Sequence, residues 1–214
     1  MREAFVDELE SVFADLAAIA GKVRIAVSGA TESLLTGDVE TAESVISADV
    51  EIDQAREHVE EKAFELLSLQ QPVAGDLRTI VAALRMVAEL ERMGDLSVHV
   101  AKIARLRVPQ RAVPEQAEPT IKKMAEIAEA MSGKVAEVIA TRDVEAARDL
   151  VGDDEEMDAL RRETFRQLFA QEWTHSIEAA VDLALLGRYY ERIADHAVSV
   201  ARRVVFVVTG EAER

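Results

Sequence analysis

The chain has 214 residues, 49% hydrophobic and only 4% aromatic, with nine Gly, four Pro, no Cys and a formal net charge of −16. The lack of Cys excludes disulfides, iron–sulfur clusters and thiol catalysis. Both halves are net acidic, which disfavours nucleic acid and anionic lipid as direct partners and favours cations.

Long periodic stretches with few breakers predict an all-α protein of six helical segments. The first runs from Glu3 to Leu35 and stops at Thr36-Gly37; the second starts at Asp38, a good N-cap, and reaches Gln70. Gln71-Pro72 breaks the pattern, and a third segment covers Val73 to Leu106. Three of the four prolines fall at 109, 114 and 119, so 109–118 reads as a linker between a first three-helix unit, 1–108, and a second, 119–214. In that second unit, helices are predicted over Thr120–Ala140, Val144–Glu172 after Asp143 as N-cap, and Ser176–Val208, stopped by Gly210. The opening MREAFVDELESVF has no signal-peptide apolar core, and the apolar run Val204–Val208 is too short to cross a bilayer. A soluble cytoplasmic protein without direct membrane insertion is therefore expected.

The two units are copies. ERMGDLSVHVA at 91–101 and ERIADHAVSVA at 191–201 agree at six of eleven positions, and TGDVETA at 36–42 matches TRDVEAA at 141–147 at five of seven. Such internal repetition predicts tandem up-down-up three-helix units that pair into one six-helix bundle or two stacked bundles. Each motif carries a Glu-x-x-x-Asp pair, Glu91/Asp95 and Glu191/Asp195, one helical turn apart and hence on one face.

Steps of three and four through the third segment give Leu77, Val81, Leu84, Ala88, Glu91, Asp95 and Val98. In the last they give Ile177, Val181, Ala184, Arg188, Glu191, Asp195 and Val198. Both read as the packed seam of a helix, interrupted by acids. The second segment gives Ala42, Ile46, Asp49, Asp53 and Arg56; shifted by 105, the fifth gives Ala147, Val151, Asp154, Asp158 and Arg161. If these helices are antiparallel neighbours, four carboxylates converge in each repeat, with Glu51 and Glu156 at the edges. Carboxylates gathered in a partly dry interior must take up protons, pair with Arg or bind cations. Oxygen donors without Cys suit Mg²⁺, Mn²⁺ or iron, and bridging carboxylates can hold several ions. The expected metal ligands are Asp49, Asp53, Glu91, Asp95, Asp154, Asp158, Glu191 and Asp195, with His99 or His196 as added nitrogen donors. The competing reading is plain ion pairing, since Arg56, Arg161, Arg92 and Arg192 all lie close in sequence to the acids.

Other features carry less. Glu172-Trp-Thr-His175 fits one Glu-x-x-His element of a di-iron bundle, but only one copy exists. His58 lies among charged neighbours and reads as solvated. Asp76-Leu-Arg78 reads as a cap for the third helix, with anion binding by Arg78 as the alternative. No Gly-rich phosphate loop or nucleophile elbow is present.

AELERMGDLSVHVA at 88–101 and GRYYERIADHAVSVA at 187–201, with QQPVAGDLRTIVAALR at 70–85, resemble the PhoU family of phosphate-uptake regulators over nearly the whole chain. The resemblance implies a cytoplasmic, often dimeric, non-enzymatic negative regulator of phosphate import and phosphate-starvation signalling. Its implied partners are the ATPase of the phosphate-specific ABC transporter and a sensor histidine kinase. It also implies carboxylate-bound, in some members multinuclear, iron, Mg²⁺ or Mn²⁺ at the eight acids named above. One departure stands out: Ala194 replaces the Gly94 of the first copy, and its methyl puts the equivalence of the two sites in question. A metal-dependent hydrolase of phosphoesters or polyphosphate shares the carboxylates and is the alternative from another class; a helical scaffold held by internal ion pairs is the third.

Overall fold

The computed structural model describes residues 2–70, 72, 74–152, 154–170 and 173–211, without the side chains of 2, 69, 70 and 154. All regular structure among them is helical: α1 (Arg2–Thr36), α2 (Val39–Gln70), α3 (Ala74–Arg107), α4 (Glu118–Thr141), α5 (Val144–Gly152), α6 (Asp154–Leu168) and α7 (Ile177–Thr209). α5 and α6 flank residue 153 and together occupy the place of α2 in the second unit. No helix among the described residues is long and apolar enough to cross a membrane.

α1 packs on α3 and α4, and α7 packs on α3 and α4, closing a ring of four helices. α2 lies outside on α1 and α3, while α5 and α6 lie outside on α4 and α7. Each unit thus contributes two helices to a shared bundle and one outer helical segment. Tyr190 at the ring's centre is fully buried, and its hydroxyl shares a hydrogen bond of 2.9 Å with Thr31 of α1. Burial pushes that phenol well above its ordinary range, so it stays protonated.

Where α3 touches α1, α2 and α7, it is buried over a broad face: Ala82, Ala83, Met86, Val87, Leu90, Met93, Gly94, Ser97, Val100 and Ala101. This corrects the expected seam. Leu77 and Val81 are 43% and 38% exposed, and Ile177 and Val181 are 84% and 51% exposed. A seam with steps of three and four assumes one facing helix; with three neighbours the apolar face is wider, and the expected line runs along its margin.

The other copied motif builds a turn. Thr36 and Thr141 each donate to the carbonyl one turn back, of Glu32 and Glu137. Gly37 and Arg142 then take the left-handed backbone, at φ 76° and 54°. Asp38 and Asp143 cap the next helix, accepting from Glu40 and Thr41 in one copy and Glu145 and Ala146 in the other. Arg142 occupies a backbone region that glycine fills at no steric cost. Its guanidinium grips Glu10 at 2.5 and 2.8 Å and lies 4.2 Å from the centre of the Phe13 ring, tying the second unit's turn to α1.

Two further differences from expectation concern boundaries. The fifth segment's helix ends at Leu168, before the expected Glu172, which lies outside the described residues: Leu168 still packs on the core, whereas Phe169 is 83% exposed with its ring stacked on Phe165. The 109–118 segment is more than a spacer, because its Ala112, Val113 and Ala117 enter the core. Arg78 bears on the two readings of its role: its guanidinium donates to the carbonyl of Val207, in the last turn of α7, and lies over Phe206.

Candidate metal centre

The first repeat brings its acids together across α2 and α3. Gly94 makes this possible: a Cβ there would stand 3.0 Å from Ile52 Cδ1 and 3.6 Å from Asp49 Oδ1, so α2 lies close against α3. Asp49, Asp53, Glu91 and Asp95 are all half-buried. Burial, then the charges of Asp95 and Asp53, raise the Asp49 carboxyl above its ordinary value against the opposing pull of Lys102 and His99. Burial, then Asp95, raise Glu91 in the same way, with Arg92 and Arg56 pulling down and Asp53 pushing up. Each of these four acids therefore feels at least one of the others, which is the demand a cation meets.

Arginines answer that demand only in part. Arg92 reaches Asp95 Oδ2 at 3.2 Å and Glu91 Oε2 at 3.6 Å, but is itself largely exposed. Arg56 turns away to Glu60, at 3.0 Å. An all-oxygen, half-buried donor set with excess negative charge fits a hard cation such as Mg²⁺, Mn²⁺ or iron. Among the described residues no three His, Asp or Glu side chains already stand in a coordination set. Coordination would therefore require side-chain rotation, chiefly Arg92 leaving Asp95. Glu51, expected at the edge, instead pairs outward with Lys22 of α1 at 2.7 Å.

The second repeat is different. Glu191 is buried, and both its oxygens are held by arginine: Arg161 Nη1 stands 2.8 Å from Oε1, and Arg188 Nη1 bonds Oε2. Asp158 and Asp195 are exposed, and the side chain of Asp154 lies outside the described residues. Here the glycine-permitted approach has moved to Gly187, where a Cβ would meet Thr164 Oγ1 at 3.1 Å, two turns before Ala194. With Glu191 already neutralised by two guanidinium groups, the described residues do not fit a metal centre. Glu156 lies 3.9 Å from Lys123, at the surface.

Both histidines expected as added nitrogen donors have other partners in the structure. The His99 ring stacks on Tyr189 of α7, 5.3 Å between centroids, and lines a cleft of about 430 Å³ with Asp95, Arg92, Arg188, Arg192 and His196. His196 Nδ1 meets Glu89 at 2.6 Å rather than its neighbour Asp195. His58 is 63% exposed, 3.9 Å from Asp15, as its surroundings suggested. Of the Glu-x-x-His element, Glu172 lies outside the described residues, and His175 sits edge-on to Trp173. The role of Arg188 was missed, although a signal existed: an arginine stands on the line of apolar positions where the first copy has Ala88.

A family model described as the PhoU domain matches residues 16–104 and 121–204, one match per repeat. The phosphate-specific transport system accessory protein PhoU homolog 2 of Mycobacterium tuberculosis is 46% identical over 210 residues, covering 98% of this chain and 99% of its own. PhoU homolog 1 of Mycobacterium leprae is 45% identical over 98% of this chain and 95% of its own. The crystal structure of PhoU from Pseudomonas aeruginosa superposes with a TM-score of 0.90 at 27% identity, covering 97% of this chain and 100% of that one. The duplicated fold, its copied turn and both motif helices thus fall within what these proteins share, and the chain belongs to the PhoU family.

Proposed function

We propose that the chain is a non-enzymatic accessory protein of phosphate transport that restrains phosphate uptake and starvation signalling. In this reading it acts in the cytoplasm as a homodimer, between the ATPase of a phosphate ABC transporter and a sensor histidine kinase. Full-length likeness to proteins named as phosphate-specific transport accessory proteins supports the role. The observation that carries the chemistry is the set Asp49, Asp53, Glu91 and Asp95, whose mutual repulsion a bound cation relieves. Asp49 and Asp53 of α2 with Glu91 and Asp95 of α3 would hold a divalent or trivalent ion, whose charge would offset their repulsion and steady the surface those helices present. Partner contact is assigned to apolar side chains that both repeats leave exposed near the turn joining their last two helices. These are Phe64, Leu77 and Val81 in one, and Phe169, Ile177 and Val181 in the other.

Asp95→Ala is expected to lower the metal content of protein purified without chelators and to derepress a phosphate-starvation reporter several-fold. Full repression by a metal-free variant would remove the cation from the mechanism. Phosphate release from a model phosphoester and from polyphosphate, with Mn²⁺ or Mg²⁺ added, separates the hydrolase alternative: no release above the protein-free rate is expected.

A further inference from the structure

Two sequence differences explain why equivalent glutamates, Glu91 and Glu191, sit in unlike surroundings. Position 88 is Ala in the first copy, whereas its counterpart, 188, is Arg and bonds Glu191 one turn away. Position 60 is Glu in the first copy and draws Arg56 along α2; its counterpart, 165, is Phe. Arg161, the counterpart of Arg56, thus has no carboxylate one turn on. Its guanidinium lies 5.8 Å from the Phe165 ring centre and reaches across to Glu191. One motif has therefore been left with its acids facing each other, and the other has been closed by two arginines.

We infer that the cation site of this chain is confined to the first repeat, and that in the second repeat Arg161 and Arg188 take the place of the metal by clamping Glu191. The confinement rests on the cation reading given above; the clamp does not. Charge explains the exclusion. A metal at the second site would have to displace two guanidinium groups from a carboxylate whose side chain is only 6% exposed, and among the described side chains would gain the exposed Asp158 and Asp195 in return.

Calorimetric titration of the full chain with Mn²⁺ alone tests the confinement. Asp95→Ala should abolish uptake, and Ala88→Arg with Glu60→Phe, which writes the clamp into the first repeat, should abolish it too. Ala88→Gln, adding bulk without charge, should keep it. Uptake lost equally in Asp195→Ala, or wild-type uptake by the clamp-bearing double variant, overturns the confinement. The clamp itself is read by thermal unfolding in chelator. Glu191→Gln, Arg161→Ala and Arg188→Ala should each lower Tm by several degrees, while Glu91→Gln should not. If Glu191→Gln and Glu91→Gln move Tm alike, the clamp is wrong whatever the metal content. Failure of the wild type to take up Mn²⁺ with the clamp shifts intact would instead overturn the cation reading, and the confinement with it.

Discussion

Asp49 and Glu91 carry the sharpest consequence at the scale of single residues. Burial and the neighbouring acids raise both carboxyls above their unfolded values. For an acid raised on folding, the stabilising contribution is fully present below the unfolded pKa and is lost as pH rises through the folded one. Without metal, ionisation of either side chain in the folded protein therefore comes at a cost. Asp49→Asn and Glu91→Gln are expected to raise Tm at pH 7 in chelator, with the gain fading as pH falls through the raised native values into the ordinary carboxylate range, where folded and unfolded carboxyls alike are protonated. Circular dichroism melts across that range decide it; a lowered Tm at pH 7 would mean that the acids are well paired after all. Saturating metal should reverse the ranking, because the variants lose a ligand that the folded state alone presents. These acids were legible as a set from spacing alone. Their partners were not: Arg56 has Glu60 and Asp53 within one turn on one helix, and which carboxylate it chooses depends on how close α3 lies.

The helices themselves were largely readable at the scale of elements, because breakers and caps are local. Asp38 and Asp143 cap where the repeated TxDVExA pattern placed them, since a side-chain oxygen two and three residues before an orphan N–H needs no tertiary context. Which face each helix buries was not local, and the expected seam through Leu77 and Val81 is the result: three neighbours, not one, set the width of the buried face on α3. Gly94 shows the same dependence, since its value lies in what α2 puts beside it. Gly94→Ala should leave stability nearly unchanged, because a helix-propensity gain of up to about 1 kcal/mol offsets crowding against Ile52 Cδ1, the mobile end of its side chain. Mn²⁺ affinity should nevertheless fall by about ten-fold, because the added methyl sits 3.6 Å from Asp49 Oδ1 and limits how far that carboxylate can turn towards α3. Equal affinity in denaturation-matched samples would show that the close approach does not position the site.

Across the whole molecule, the two repeats are fused rather than strung together. The four-helix ring mixes both units, so neither has a complete core of its own. Tyr190 and Thr31 report on that fusion from its middle. Tyr190→Phe removes one hydrogen bond between α7 and α1 and should cost about 1 kcal/mol with a single cooperative transition retained, whereas Tyr190→Ala should cost about 3–5 kcal/mol. Two separate transitions in either variant would mean that the units fold independently. Duplication was legible in sequence, but the ring was not, because nothing in one repeat's pattern says whether its open face meets the other copy or a second chain. At the same scale, the duplication has not preserved chemistry: one repeat keeps a charged seat and the other is closed by its own arginines. The most direct test of the cation seat is elemental analysis of the full chain purified without chelators, beside Asp95→Ala prepared identically. Metal bound to the wild type and absent from the variant is the predicted result; a metal-free wild type, or equal metal in both, would contradict it.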